Sequence, residues 1–286
     1  MAETCHVPDI GRLPDLGPRV SGLVAQRRAD VENAKKKRSG GSLTGAIGEA
    51  AKTVGFRAAL YNHFAEKGRP GVIADIQGAS PFTKVTRARL DVSDLAQDFH
   101  DAGAVCVSAC QDRRLYRGSL ADFGAARAAD LPILANDLVV DLYQVIEARY
   151  AGADAVLLIA GVLGAALSDF VSRAESVMLD ALVEVRSQGE LALALDAGAN
   201  LIAVNARDLE TMEVDPSVFE ALLPKIPPDR ALAVAAGGLA SLADVETVAA
   251  LGAKAVRIGS ALMAAPDPYV RLHEILGTEP DDLVED

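Results

Sequence analysis

The residues most able to do chemistry stand where short apolar runs end. Residues 201–204 form an apolar run that stops at Asn205, and Arg207 follows shortly after it. An apolar strand that ends in polar side chains is how an α/β barrel presents groups to a ligand. Glu184 lies inside a second apolar run, where a carboxylate costs free energy unless it is paired or poised as a base. We therefore interpret Glu184 as a candidate base, with Asn205 and Arg207 as candidate partners at the same site.

Two glycine turns near the end of the chain suit an anionic group. Gly237 and Gly238 follow one apolar run, and Gly259 and Ser260 follow the next. Glycine lets backbone N–H groups approach an anion closely, and the N-terminus of a following helix adds a favourable dipole. Because the loops after strands seven and eight form the phosphate site of many barrels, this pair of turns predicts phosphate binding.

A repeating pattern of strands and helices has to position these residues. Gly103, Gly152, Gly198 and Gly252 each precede an apolar run, as glycine does where a helix stops and the chain turns into a strand. Eight runs separated by helical stretches, with no break for a second domain, predict an α/β fold that is a single closed (β/α)8 barrel. The runs are residues 72–76, 105–108, 133–135, 155–159, 182–185, 201–204, 232–235 and 255–258.

We expect three segments along the chain. Residues 1–65 are predicted to form an N-terminal arm and helices packed on the barrel, residues 66–275 to form the barrel, and residues 276–286 to form an acidic tail. Within the first segment a charged helical pattern extends from Val20 to about Lys37. After a Ser–Gly break, a second helix is predicted from about Leu43 to His63.

The composition narrows the class of protein. The chain has 286 residues, of which 50% are hydrophobic, and a formal net charge of −12. Nucleic-acid binding rests on Lys and Arg neutralising phosphates, so we expect no nucleic-acid partner. Cys5, Cys106 and Cys110 lack metal-ligand spacing, and no apolar run is long enough to cross a bilayer. We therefore expect a cytoplasmic protein with no metal, no cofactor and no membrane contact, whose oligomeric state stays open.

Several motifs between about Val72 and Pro268 resemble those of the indole-3-glycerol-phosphate synthases. Residues 73–81 resemble the first-strand signature, and residues 116–120 resemble the loop whose aromatic residue contacts the anthranilate ring. Residues 201–209 resemble the sixth-strand signature. The resemblance implies a lyase that closes an indole ring with loss of CO2 and acts on a small phosphorylated substrate.

The resemblance also implies roles for particular residues. The catalytic positions are Glu184, Asn205, Asp75, Gln77 and Asn136. The positions that bind substrate or phosphate are Ser80, Tyr116, Arg207, Gly237, Gly238, Gly259 and Ser260.

Four positions depart from the family's pattern. The family has Glu where Asp75 stands, Lys where Gln77 and Asn136 stand, and Glu where Ala236 stands. Amide side chains donate hydrogen bonds but hold no transferable proton near neutral pH. The loss of one proton-transfer group typically lowers a rate by roughly 10²–10⁴.

Three hypotheses follow. The preferred one is a diverged lyase or cyclase that acts on a phosphorylated, aryl-amine-bearing substrate with altered or weakened proton transfer, because Glu184 is retained. An alternative is a catalytically inactive barrel that binds a phosphorylated ligand or a partner protein. A second alternative is a conventional synthase whose missing groups come from Asp75, Lys84, Asp112 or Arg114. On the preferred hypothesis, conventional synthase turnover is expected to be very weak or absent.

Overall fold

Eight parallel strands close into a barrel in the order of the chain. In the computed structural model, which describes residues 16–79 and 90–280, each strand pairs with the next and the last pairs with the first. The predicted single (β/α)8 barrel is therefore confirmed. The strands are β1 Gly71–Ile76, β2 Cys106–Ala109, β3 Ile133–Ala135, β4 Ala155–Ile159, β5 Asp180–Val185, β6 Leu201–Asn205, β7 Leu232–Ala236 and β8 Ala255–Ile258.

Helices cover the outer face of the barrel. The glycines predicted to stop them do so, with left-handed φ values of 95° at Gly103, 103° at Gly152, 80° at Gly198 and 108° at Gly252. The helices are α1 Pro18–Lys37, α2 Gly40–Ala46, α3 Phe56–Lys67, α4 Val92–Asp101, α5 Ala121–Ala126, α6 Leu142–Ala151, α7 Ala160–Leu163, α8 Leu167–Ser176, α9 Gln188–Asp196, α10 Ser217–Leu222, α11 Leu242–Ala250, α12 Ser260–Ala264 and α13 Pro268–Leu276, with short 3₁₀ turns at Ile47–Glu49, Arg127–Ala129, Gly164–Ala166 and Leu223–Lys225.

Alternate residues of each strand face the barrel interior. Towards the N-terminal ends of the strands these residues are apolar, and Phe56 and Leu60 of α3 pack beneath them, fully buried. This apolar floor leaves polar inward side chains to the C-terminal ends, where a barrel displays its ligand site. The apolar inward residues are Ile73, Cys106, Leu134, Ala155, Leu157, Leu182, Leu201, Ala203, Leu232, Val234 and Ala255.

The prediction of one continuous second helix from about Leu43 to His63 is wrong. The structure divides this stretch into α2, a 3₁₀ turn and α3, with residues 51–55 non-helical. Gly55 has a φ of 75°, and the N–H of Val54 donates to the buried carboxylate of Asp154 at 2.9 Å. Residues 51–55 therefore connect the 3₁₀ turn to α3 without helical structure, and α3 covers the N-terminal end of the barrel.

The first helix, α1, is anchored beside the mouth of the barrel. Val20 and Val24 are buried against Val140 and Val162, which follow β3 and β4. The carboxylate of Glu210, in the loop after β6, accepts the backbone N–H groups of Arg19 and Val20, each at 2.9 Å. Glu210 therefore caps α1 from a distant part of the sequence. Residues 1–15 and 281–286 of the predicted arm and tail lie outside the described residues.

We predict that Glu210→Ala loosens the first turns of α1. The variant leaves two helix N–H groups without their acceptor, which should lower the free energy of unfolding by about 1 kcal/mol. Hydrogen exchange at residues 19–24 should accelerate more than exchange in the strands. Glu213→Ala is the matched control, since Glu213 is an exposed residue of the same loop. Equal exchange in both variants would contradict the capping role.

Candidate active site

One cavity gathers the predicted residues that the structure describes. It has a volume of about 360 Å³ and lies at the C-terminal ends of the strands. The cavity is lined by Asp75, Gln77, Tyr116, Asn136, Glu184, Asn205, Arg207, Gly237, Gly238, Gly259 and Ser260. Ser80 falls within residues 80–89, outside the described part of the chain. Arg19, Val20 and Leu23 of α1 also line the cavity, and sequence reasoning did not place them there.

Asp75 lies at the centre of a buried polar chain. The hydroxyl of Ser108 donates to Asp75 Oδ1 at 2.5 Å, and Asn136 Nδ2 donates to the same hydroxyl oxygen at 3.4 Å. Burial raises the pKa of Asp75, while Arg257 and the Ser108 hydrogen bond oppose that rise. Burial, the largest of these influences, therefore favours the protonated form of Asp75 relative to a solvated aspartate.

Arg257 is the main residue that sequence reasoning missed. It extends from β8 into the cavity, where its Nη2 donates to Glu184 Oε2 at 3.1 Å and its Nε lies 3.6 Å from Asp75 Oδ2. Burial lowers the pKa of Arg257, but the two carboxylates outweigh this and raise it, so the guanidinium is charged. Glu184, interpreted from the sequence as a candidate base, is therefore also half of an ion pair.

The signal for Arg257 was present in the sequence. Arg257 stands two residues after the inward-facing Ala255, so the period of a strand places it on the interior face. A charge inside a buried run needs an opposite charge, and Glu184 is the carboxylate inside a comparable run. The candidate residues were taken mainly from positions just after the strands, whereas Arg257 lies within strand β8.

Asn205 shapes the turn after β6. Its side-chain oxygen accepts the backbone N–H of Arg207 at 2.9 Å, and Arg207 Nη1 donates to the carbonyl of Met212 at 3.0 Å. Arg207 thus holds its own loop while also lining the cavity. A Cβ atom at Gly237, whose φ is 84°, would lie 2.1 Å from Asn205 Oδ1, so this turn requires glycine.

The other glycines of the two turns are also closely packed. A Cβ atom at Gly238, in the first turn, would lie 2.4 Å from a methyl group of Val214, and one at Gly259, in the second turn, would lie 2.8 Å from the Cβ of Asp75. Backbone therefore replaces side chain along this wall of the cavity, and an anion could approach the main-chain N–H groups there.

Two residues proposed as substitute proton donors lie away from the cavity. Asp112 accepts the backbone N–H groups of Arg114 and Leu115, and Arg114 reaches Asp30 of α1 at 3.6 Å with most of its side chain exposed. Neither Asp112 nor Arg114 is among the residues that line the cavity, so the structure does not bring them together with the other predicted site residues. Lys84 is outside the described residues.

Comparison with known proteins gives the family. The family model for indole-3-glycerol phosphate synthase matches residues 20–275. This chain belongs to the indole-3-glycerol phosphate synthase family. An indole-3-glycerol phosphate synthase of Mycolicibacterium smegmatis is 41% identical over 73% of this chain and 78% of its own length. One from Albidiferax ferrireducens is 37% identical over 90% of this chain and 97% of its own length.

Solved structures support the fold of this family member. A 3-hexulose-6-phosphate synthase superposes with a TM-score of 0.58 at 17% identity, covering 73% of this chain and 99% of that one. At this identity the likeness concerns the barrel alone. Within residues 16–79 and 90–280, no helix combines the length and apolar character needed to cross a membrane.

We predict that Asp137, which also lines the cavity, titrates near pH 6. Burial raises its pKa from 3.8 to about 6, although Arg27 and the backbone N–H groups of Gln111 and Asp112 favour the charged form. Between these values the folded chain holds a proton that the unfolded chain has released. The contribution of Asp137 to stability should therefore fall as the pH rises from 3.8 to about 6.

Carbon-13 NMR of the aspartate carboxyl groups measures this titration. The signal that disappears in Asp137→Asn is assigned to this residue, and its midpoint should lie near pH 6. A midpoint at the ordinary value for aspartate would show that the carboxyl is solvated rather than buried.

Proposed function

We propose that this chain catalyses the indole-3-glycerol phosphate synthase reaction, using a rearranged set of charged groups. The observation that carries the proposal is Glu184, held by Arg257 at 3.1 Å inside a cavity with two glycine turns on its wall. The relatives at 37–41% identity are named as this synthase, which favours the conventional activity over the diverged lyase preferred from sequence. The expectation of very weak turnover has no support from these relatives.

The phosphate end of the substrate is assigned to the glycine wall. Gly237, Gly238, Gly259 and Ser260 line one part of the cavity, where a side chain at any of the three glycines would collide with a neighbour. Backbone N–H groups at loop–helix junctions suit a phosphate without requiring a lysine.

The aryl end is assigned to the apolar part of the cavity. Leu115, Tyr116, Leu138, Leu157 and Ile159 line it, and the volume of about 360 Å³ falls within the range of small-molecule sites. Burial raises the pKa of the Tyr116 phenol well above its ordinary value, so this ring stays neutral beside the substrate.

The carboxyl groups divide the proton transfers. Ring closure forms a carbon–carbon bond to the substrate's ketone carbon, CO2 then leaves, and loss of water completes the indole. We assign Asp75, whose pKa is raised by burial, as the proton donor to the ketone oxygen. After Asp75 regains a proton from solvent, it protonates the hydroxyl group that leaves as water. Glu184 is assigned as the base that removes a proton during loss of water. Asn205 positions the loop that carries Arg207.

We predict turnover of carboxyphenylamino-deoxyribulose phosphate by the unaltered chain, with kcat on the order of 1 s⁻¹ or higher. Glu184→Gln should lower kcat by about 10²–10⁴, because the amide cannot accept the proton. Steady-state assays that follow indole fluorescence measure both values. Glu213→Gln, an exposed change of the same kind, should leave kcat within about twofold. No detectable turnover by the unaltered chain would contradict the proposed function.

We also predict that Gly259→Asp weakens the binding of inorganic phosphate at least about tenfold, since a like charge would face the anion. Gly189→Asp is the matched control, because it adds the same charge at an exposed helix start with open space around it. Calorimetric titration measures the affinities. Equal affinities for the two variants would place the anion elsewhere.

A second candidate is a barrel that binds a phosphorylated ligand without catalysis. The favouring observation is that no lysine is among the described residues lining the cavity, where Gln77 and Asn136 stand in place of the lysines that the resemblance implies. Phosphate binding that persists in the absence of turnover would identify this case.

A further inference from the structure

Arg257 has more hydrogen-bonding capacity than the protein uses. Its Nη2 donates to Glu184, and its Nε lies 3.6 Å from Asp75. Its Nη1 is buried and has no hydrogen-bond partner among the described residues. A buried N–H group without an acceptor costs about 1–3 kcal/mol, so a guanidinium that served only as a counter-ion would be expected to satisfy it.

The position of Arg257 relates it to the neutral residues of the site. Asp75 and Gln77 lie on the same face of the chain leaving β1, and Asn136 joins Asp75 through the hydroxyl of Ser108. Arg257 contacts Asp75 from the neighbouring strand β8 and contacts Glu184 on β5. A positive charge thus lies among the groups where Gln77 and Asn136 supply none.

We infer that Arg257, whose side chain lines the cavity, binds the substrate's ketone oxygen through its guanidinium and stabilises the negative charge that develops there during ring closure. This inference rests on the proposed function. As the aryl carbon forms its bond to the ketone carbon, the carbonyl π pair moves onto oxygen beside the guanidinium. Asp75, in contact with the same guanidinium, then gives that oxygen its proton and becomes a carboxylate.

Arginine and lysine stabilise and protonate a developing oxyanion in different ways. A lysine ammonium can supply both charge and proton, whereas a guanidinium keeps its proton and supplies charge and fixed donors. Charge stabilisation by Arg257 therefore requires a separate acid beside it, and Asp75 occupies that place. A second cation at Gln77 or Asn136 would face Arg257 in a buried cavity, where like charges repel.

The test is a set of variants that removes the positive charge at Arg257 or places one at Gln77 or Asn136. Arg257→Met should lower kcat by about 10²–10³, the usual effect of removing one oxyanion donor, with KM changed by less than about threefold. Arg257→Lys should retain more activity, because it keeps a charge but loses the fixed second donor. Binding of inorganic phosphate should stay within about twofold in both variants, since Arg257 is assigned to the other end of the substrate.

The decisive comparison adds Gln77→Lys or Asn136→Lys to each background. With Arg257 present, the new lysine should lower kcat, because two cations would then face each other in a buried cavity. With Arg257→Met, the same lysine should raise kcat at least about tenfold, because it restores a cation to the site. Equal effects in the two backgrounds would overturn the inference, as would an unchanged kcat in Arg257→Met. If Arg257→Met does not fold, a raised or unchanged kcat from either lysine in the presence of Arg257 overturns it instead, and a lowered kcat upholds it.

A binding measurement separates this inference from the proposed function. The probe is the substrate with its ketone reduced to an alcohol, which cannot react. The inference alone fails if the unaltered chain turns over the substrate and both Arg257→Met and Arg257→Lys match it. Matching means that the variants bind the probe with the same affinity and turn over the substrate with the same kcat. If the unaltered chain neither reacts nor binds the probe, the proposed function fails and the inference fails with it.

Discussion

The ion pair between Arg257 and Glu184 is the constraint on which the site depends. A charged group inside a barrel is tolerated only when an opposite charge and hydrogen bonds replace the water it has lost. Arg257 meets that condition by reaching Glu184 across the barrel and Asp75 on the adjacent strand. The same contacts fix both carboxylates in place. Neutral side chains at Gln77 and Asn136 are compatible with this arrangement because the positive charge enters from another strand.

The N-terminal helix α1 forms one wall of the cavity around this polar centre. Glu210 binds the first N–H groups of α1, and Lys35 near its end binds Asp141 at 2.7 Å. These contacts hold Arg19 and Leu23 against the mouth of the barrel, where they line the cavity. Electrostatic interactions are stronger where protein surrounds the charges, so α1 and the ion pair act on the same cavity.

Much of the fold could be predicted from local signals in the sequence. Apolar runs, and glycines such as Gly152 and Gly252 before them, locate the strands because each strand must be buried and each helix must stop. The helix boundary near Gly55 could not be found this way, since it depends on Asp154, a hundred residues away. Arg257 was overlooked for a different reason. Its role becomes visible only when residues on separate strands are considered together on one interior face.

The same limit applies to the candidate site. Strand-end residues such as Asn205 could be named from sequence, because their place at the mouth follows from the architecture alone. Which of them bond to one another could not be known. Asn205 binds the backbone of its own loop, and Asp112 does the same near α1, although both looked equally available for chemistry. Such assignments depend on side-chain distances that no local pattern encodes.

The most direct measurement of this account is a crystal structure of the chain with the ketone-reduced substrate. We predict that a guanidinium nitrogen of Arg257 lies about 3 Å from the oxygen that replaces the ketone, with the phosphate on the backbone of the two glycine turns. A complex in which that oxygen lies away from every guanidinium nitrogen of Arg257 would contradict this prediction.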